Sequence, residues 1–265
     1  MVVALDALLE PLASVGLDEL NARAPLEQRF DTKYVVTREQ LAQFFHAARD
    51  SFAALQIGDR RVFGYGNQYF DSPTLLTYRA HIQGRRIRFK CRSRHYVDTG
   101  RLFFEVKLKG RRGETIKRRL ICGTAEYESF TSVAEAFLRE SLRDAYAGHE
   151  VEELLAPSLW NGYRRITLVN LRRERLTCDF DLSFRNEDAA AKLRDGFAIL
   201  ESKAASGNGV ADRMLRNLGI KPIPSCSKYC VGIALTHTNV RSNYATPLLS
   251  RYFADANSCA VVMEA

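Results

Sequence analysis

Residues 86–94 read Arg86-Ile87-Arg88-Phe89-Lys90-Cys91-Arg92-Ser93-Arg94, with a basic residue at every even position and an uncharged one at every odd position. Successive side chains leave a β-strand on opposite sides, so this two-residue period predicts a strand with two unlike faces. The next run repeats the pattern: Leu102, Phe104, Val106 and Leu108 alternate with Phe103, Glu105, Lys107 and Lys109. After the turn signal Gly110-Arg111-Arg112-Gly113, Thr115, Lys117 and Arg119 alternate with Ile116, Arg118 and Leu120. Three consecutive antiparallel strands would align these charged rows on one sheet face. Like charges side by side repel, so such a face is unfavourable until an anion occupies it. An ordinary solvated face would mix both signs; this pattern points to a polyanion site.

The charge balance supports that expectation. The 265 residues carry 39 Lys+Arg and 31 Asp+Glu, a formal +8. Residues 81–120 alone hold 14 Lys/Arg against Asp98, Glu105 and Glu114, a net +11, which leaves −3 for the other 225 residues. A mildly acidic chain with one very basic segment has an anionic partner. At 46% hydrophobic residues it buries a real core. No apolar run approaches the ~18 residues of a membrane helix. The start, MVVALDALLE, lacks a basic region and carries Asp6 and Glu10, which argues against a secretory signal. Six cysteines at 91, 122, 178, 226, 230 and 259 form no C-x-x-C pair, so reduced thiols are expected rather than a disulfide or zinc framework.

Elsewhere the pattern predicts further elements. Residues 1–25 suit one or two short helices with Leu5, Leu8, Leu9 and Leu12 on one side. A strand over Gln28–Val36 would carry Arg29, Asp31 and Lys33 on one face. Thr37-Arg38-Glu39-Gln40 is a capping box opening a helix that packs Leu41, Phe44, Phe45 and Ala48. Tyr65–Asp71 reads as a strand, and 131–147 as a helix packing Val133, Phe137, Leu138 and Leu142. Asn161–Asn170 and Glu174–Leu182 form a hairpin whose odd positions are Tyr163, Arg165, Arg175, Asp179 and Asp181. Ala198–Lys203 is a strand showing Glu201 and Lys203, and a short helix spans 210–218; Pro222 and Pro224 bracket its exit, and the chain after Thr236 reads as a weakly patterned tail. The expected fold is α+β: a closed antiparallel β-barrel of about eight strands, charged face inward as a basic tunnel, with amphipathic helices outside. The domains would be a helical extension at 1–28, the tunnel domain at 29–235 and a tail at 236–265.

Nine motifs in order carry a resemblance. They are R-F-D-T-K-Y, Y-F-D-S with Tyr78 and His81 downstream, R-I-R-F-K-C-R, F-F-E-V-K-L-K, I-K-R-R, Y-R-R, R-L-T-C-D, I-L-E-S-K and P-S-C-S-K-Y. From about Arg29 to Gly232 the chain resembles the VTC domain, the polyphosphate polymerase module of the CYTH-like triphosphate tunnel metalloenzymes. The resemblance implies Lys33, Arg88, Lys90, Lys107 and Lys117 as tunnel cations holding nucleotide and polyphosphate, with Lys109 a second contact. Tyr163 and Arg165 match a Y-x-R pair near the reacting phosphates, Ser227-Lys228 an S-K pair on the closing strand, and Glu201 a metal-binding carboxylate for Mn²⁺ or Mg²⁺. Arg88, Lys90, Lys107, Arg165 and Lys228 would act on the reacting phosphates. Asp31, Glu105, Asp179 and Asp181 are read as orienting cations rather than binding metal, and Arg92 and Arg94 are left undecided between the tunnel and the space beyond its mouth. Where hydrolases and cyclases of the superfamily begin with E-x-E-x-K, this chain has Arg29-x-Asp31-x-Lys33, which shifts the balance toward phosphate binding.

The implied reaction transfers the γ-phosphate of ATP to the end of a polyphosphate chain and releases ADP. Five His and no triad-like arrangement argue against nucleophilic catalysis. The alternatives are an inorganic triphosphatase on the same fold and a non-catalytic polyanion- or RNA-binding module; no RNP-like motif or G-x-x-G loop supports nucleic acid. The expected location is cytoplasmic, either free or peripheral at the cytoplasmic face of a membrane, where family analogy alone supplies a membrane-protein partner.

Overall fold

The computed structural model describes residues 5–24, 30–110, 114–146, 151–205, 207–223 and 227–254. In chain order the N-terminal third comprises α1 (Leu5–Leu9), β1 (Ala13–Val15), α2 (Leu17–Arg23), β2 (Phe30–Thr37), α3 (Arg38–Ala48), β3 (Phe52–Leu55), β4 (Phe63–Asp71) and α4 (Leu76–Ile82). The basic segment forms β5 (Phe89–Tyr96), β6 (Arg101–Lys109) and β7 (Thr115–Ile121), followed by α5 (Thr124–Glu128) and α6 (Ser132–Ala145). Then come β8 (Ala156–Asn170), β9 (Arg175–Arg185), β10 (Ala190–Leu193), β11 (Phe197–Ala204), α7 (Val210–Asn217), α8 (Lys228–Thr236), α9 (Thr246–Tyr252) and β12 (Phe253–Ala254). This is an α+β fold built on a large, mostly antiparallel sheet.

The chain divides into two compact units. The first comprises Met1–Gly64, Tyr163–Asp181 and Leu193–Cys226. Its strand order is β1-β3-β8-β9-β11-β2, with β1 and β3 parallel and the registered pairs β3–β8, β9–β11 and β11–β2 antiparallel. The core gathers Leu9, Tyr34, Val36, Ile166, Leu168, Phe180 and Leu200 against α3 and α7. The capping box of α3 forms as expected: Gln40 N donates to Thr37 Oγ1 at 3.2 Å and Thr37 N to Gln40 Oε1 at 3.0 Å. Leu41, Phe44, Phe45 and Ala48 are buried beneath it.

The second unit comprises Tyr65–Gly162, Leu182–Lys192 and Ser227–Ala265. Its strands run β12-β10-β9-β8-β4-β5-β6-β7, with the early part of β8 and the late part of β9 contributing here. Phe89, Cys91, Phe104, Val106 and Leu108 turn from the sheet into a core closed by Ala134, Leu138 and Leu142 of α6. Gly232 lets α8 lie close, because a Cβ there would meet Leu159 at 2.4 Å and Phe184 at 2.6 Å.

Several expectations change. Twelve described strands replace about eight, since the four-residue and shorter strands β1, β3, β10 and β12 leave little period to read. Among the described residues no pairing joins β7 to β12 or β2 to β1, so hydrogen bonding leaves the sheet open rather than a closed barrel. Closure needs edges that can pair along their length, and β12 has two residues while every second residue of β7 is exposed. Val133 is 53% exposed instead of packed, and Ala134 takes its place in the core. After Thr236 the described residues form the short helix α9 and the two-residue strand β12. Gln28, Arg29, the turn residues Arg111–Gly113, Pro224, Ser225, Cys226, Cys259 and the end of the tail lie outside the described residues. Cys91, Cys122, Cys178 and Cys230 are free thiols, and no described helix is long and apolar enough to cross a membrane.

Candidate phosphate-binding site

In the second unit, strand register turns the alternating sequence into rows. Lys90, Lys107 and Lys117 are direct neighbours across β5, β6 and β7. The adjacent row is Tyr69, Arg92, Glu105 and Arg119. Glu105 is fully buried, and four cations surround its carboxylate. Arg92 donates from Nε at 3.0 Å and Nη2 at 2.8 Å to Oε2; Lys117 Nζ lies 2.5 Å and Arg119 Nη2 3.4 Å from Oε1, and Arg94 Nε is 3.8 Å from Oε2. Together these five side chains sum to +3. Burial opposes ionisation of Glu105, but the charges of Arg94, Arg92 and Lys117 outweigh it and hold the carboxyl well below the usual carboxylate range. Burial also lowers the Lys117 ammonium to about 8 against the pull of Glu105, with Arg94 and Arg92 adding to the lowering.

Arg92 and Arg94, undecided from sequence, are each 7% exposed. Arg92 Nη1 donates to Tyr69 OH at 2.9 Å, and Arg94 Nε to Asn67 Oδ1 at 2.9 Å. Their alternation with Lys90 along β5 is the sequence signal for this placement, and the register sets Arg92 opposite Glu105 and Arg94 opposite Phe103. Arg88 is the opposite case. It precedes β5, and its guanidinium bonds the carbonyls of Gly84 and Arg85 in the turn after α4. The alternation of Arg86 and Arg88 therefore overran the strand, because the turn at Gln83–Gly84 delays its start. Lys109 is half-buried, and its carbonyl accepts from Tyr146 OH at 2.6 Å.

Lys90 Nζ donates to Ser227 Oγ at 2.6 Å and sits 5.5 Å from the Tyr229 ring centre. Ser227 is the N-cap of α8 and Lys228 its first residue, so this pair opens a helix rather than closing a strand. Tyr229 anchors that helix: its buried hydroxyl donates to Asp71 Oδ2, which also accepts from Thr77 Oγ1 at 2.9 Å and Tyr78 N at 3.0 Å. Sequence reading had no signal for this long-range link. Tyr78 is buried, with its hydroxyl on the Arg241 carbonyl. His81 Nδ1 donates to Thr77 O at 2.9 Å, and burial together with the Lys90 and Arg88 charges pushes its imidazole down to about 3.

In the first unit, Glu201 pairs in register with Lys33 and Lys203 with Asp31. Glu201 Oε1 lies 2.8 Å from Lys203 Nζ and 3.8 Å from Lys33 Nζ. Burial lowers Lys203 to about 8, opposed by Glu201 and Asp31 and reinforced by Arg165. Arg165 forms a bidentate pair with Asp179, at 2.6 and 2.8 Å, and its guanidinium stands 5.0 Å from the Tyr163 ring. Asp181 is exposed, takes a left-handed φ of +50° and pairs with Arg164. Among the described residues no group of three or more His, Cys, Asp or Glu could hold a metal ion. The donor set fits a hard cation only as one carboxylate, Glu201, completing a shell supplied by phosphate oxygens, a common arrangement for Mg²⁺.

The family model of the VTC domain matches residues 28–237. A comparison with curated protein sequences returned no match. Among solved structures, a candidate adenylate cyclase from Bacillus halodurans is 14% identical over 76% of this chain and 95% of its own, with a TM-score of 0.47. HpAC1 of Hippeastrum, a candidate adenylyl cyclase with a dominant triphosphatase activity, is 12% identical over 80% of this chain and 98% of its own, also with a TM-score of 0.47.

Proposed function

The chain belongs to the VTC domain family, and from that premise we propose that it is a polyphosphate polymerase, transferring the γ-phosphate of ATP to a growing polyphosphate chain and releasing ADP. The observation that carries the reading is the single buried carboxylate of Glu105 among four cations, next to the row Lys90–Lys107–Lys117. Two highly charged phosphate chains repel, and a site that brings them together must neutralise both. Phosphoryl transfer asks little covalent help of a protein; in-line positioning and charge stabilisation carry it.

The lysine row offers phosphates compact point charges, whereas Arg92 and Arg94, held by Glu105, Tyr69 and Asn67, present planar guanidinium groups. Ser227 orients the Lys90 ammonium, and Lys228 stands beside it in sequence. In the other unit, Lys33 and Arg165, the latter against Tyr163, are phosphate contacts. Mn²⁺ or Mg²⁺ held by Glu201 would supply neutralisation of the phosphate oxygens. His81 is neutral and its Nδ1 is committed to the Thr77 carbonyl, so it does not serve as a base. A terminal phosphate is already an anionic nucleophile and needs none.

The test mixes pure protein with ATP and Mn²⁺ and stains a gel for polyphosphate. Chain growth with ADP release is expected; Lys228→Ala should lose it while melting like the parent, and Glu201→Ala should lose it while remaining folded at the assay temperature. Orthophosphate release without chain growth would replace polymerase by hydrolase, and metal-independent binding without turnover would leave a binding module.

A further inference from the structure

Along the face that carries the lysine row, the chemistry changes in one direction. Beyond the row of Tyr69, Arg92, Glu105 and Arg119 comes a row of Asn67, Arg94, Phe103 and Ile121, then Tyr65, Tyr96 and Arg101. Tyr65 and Tyr96 are in contact at 5.1 Å between ring centres, and Tyr96 meets Phe103 edge-on at 5.6 Å. The Arg94 guanidinium stands 5.3 and 5.9 Å from the two tyrosine rings, and that of Arg119 stands 4.6 Å from Phe103. None of the three rings is fully buried, and the patch borders Ile121, 80% exposed, and Val97, 54% exposed. The other sheet face, by contrast, has its Phe89, Phe104 and Val106 covered by α6.

Bare phosphate gains nothing from aromatic faces. A nucleobase does, because every base has a π-face and stacks on aromatic rings and guanidinium planes. Phe103 lies four residues from Lys107 on β6, about 13 Å at the rise of an extended strand. An extended nucleoside triphosphate spans such a distance. We propose that Tyr65, Tyr96 and Phe103, with Arg94 and Arg119, form the subsite for the base of the nucleotide donor, so that its phosphates run toward Lys90, Lys107 and Lys117. The subsite rests on the nucleotide-donor reading above and assigns that donor a direction along the sheet.

Binding without turnover tests it. Titration calorimetry compares ATP with inorganic tripolyphosphate, which offers the phosphates and no base. Tyr96→Leu should weaken ATP binding roughly tenfold and leave tripolyphosphate unchanged, whereas Tyr96→Phe should keep both. Equal losses for the two ligands, or no loss for either, would overturn the subsite. If Tyr96→Leu does not fold, saturation-transfer NMR on the parent protein decides: irradiating its aromatic protons should mark the adenine H2 and H8 of ATP above the ribose protons, and unmarked adenine protons would overturn it. An ATP-selective loss in a protein that makes no polyphosphate would sustain the subsite while removing the polymerase.

Discussion

The two units handle charge in opposite ways. On β2, β8, β9 and β11 the cations Lys33, Arg165 and Lys203 stand beside as many acids, Glu201, Asp179 and Asp31. On β5, β6 and β7 one carboxylate serves Arg92, Arg94, Lys117 and Arg119, and three lysines line up next to it. The first arrangement fixes geometry: a bidentate Arg165–Asp179 pair sets the guanidinium plane before any ligand arrives. The second stores positive potential that only an anion can relieve. Charge that is matched in place orients, and charge that is concentrated attracts.

The most damaging way to probe that contrast is Glu105→Gln. It leaves buried Arg92 and Arg94 without their shared anion, and breaking such a pair costs about 3–5 kcal/mol. Because the folded carboxyl is held well below its ordinary range, Glu105 contributes stability that is present above the unfolded carboxylate pKa and is lost as pH falls through the folded value. The variant should therefore melt lower at neutral pH and lose part of the parent's acid sensitivity. Tripolyphosphate should raise its melting temperature more than it raises the parent's, since the anion takes over the neutralising role. In Asp179→Asn the same ligand should add less, and equal shifts in the two variants would erase the distinction between the units.

A smaller effect is expected from removing one cation. Lys107 is exposed in the centre of the lysine row, and a hydrogen bond to a charged group contributes about 1.5–3 kcal/mol. Lys107→Ala should weaken tripolyphosphate binding by roughly one to two orders of magnitude on that basis, read by calorimetry. Lys33→Ala should weaken it less, because Lys33 shares Glu201 with Lys203. A larger loss from Lys33 than from Lys107 would reverse the assignment of which unit attracts.

Much of this organisation was legible in the sequence. The three-strand segment, the α3 capping box and the lysine row follow from period and spacing alone, because local backbone geometry dictates them. Alternation has no sign for where a strand begins, so Arg86 and Arg88 read as strand although β5 starts at Phe89. The left-handed backbone of Asp181 and its pairing with Arg164 have no counterpart in the letters around it. The Asp71–Tyr229 link joins positions 158 residues apart and leaves no local pattern at all. Closure of the sheet, likewise, depends on whether distant edges pair, which strand periodicity does not encode.

The finest probe is pH. Lys117 is lowered to about 8 by burial, against the pull of Glu105 and with Arg94 and Arg92 adding, so it carries its charge below that pH and loses it above. Bound phosphate favours the charged form, so tripolyphosphate affinity should fall as pH rises through about 8, in a step of one proton. Lys117→Arg keeps the cation at all working pH values and should flatten the step. Lys203 is also lowered to about 8, but it sits in the matched set beside Glu201 and Asp31. If the step survives Lys117→Arg and disappears in Lys203→Arg, the matched unit also attracts, and the division between orienting and attracting charge fails at its most sensitive point.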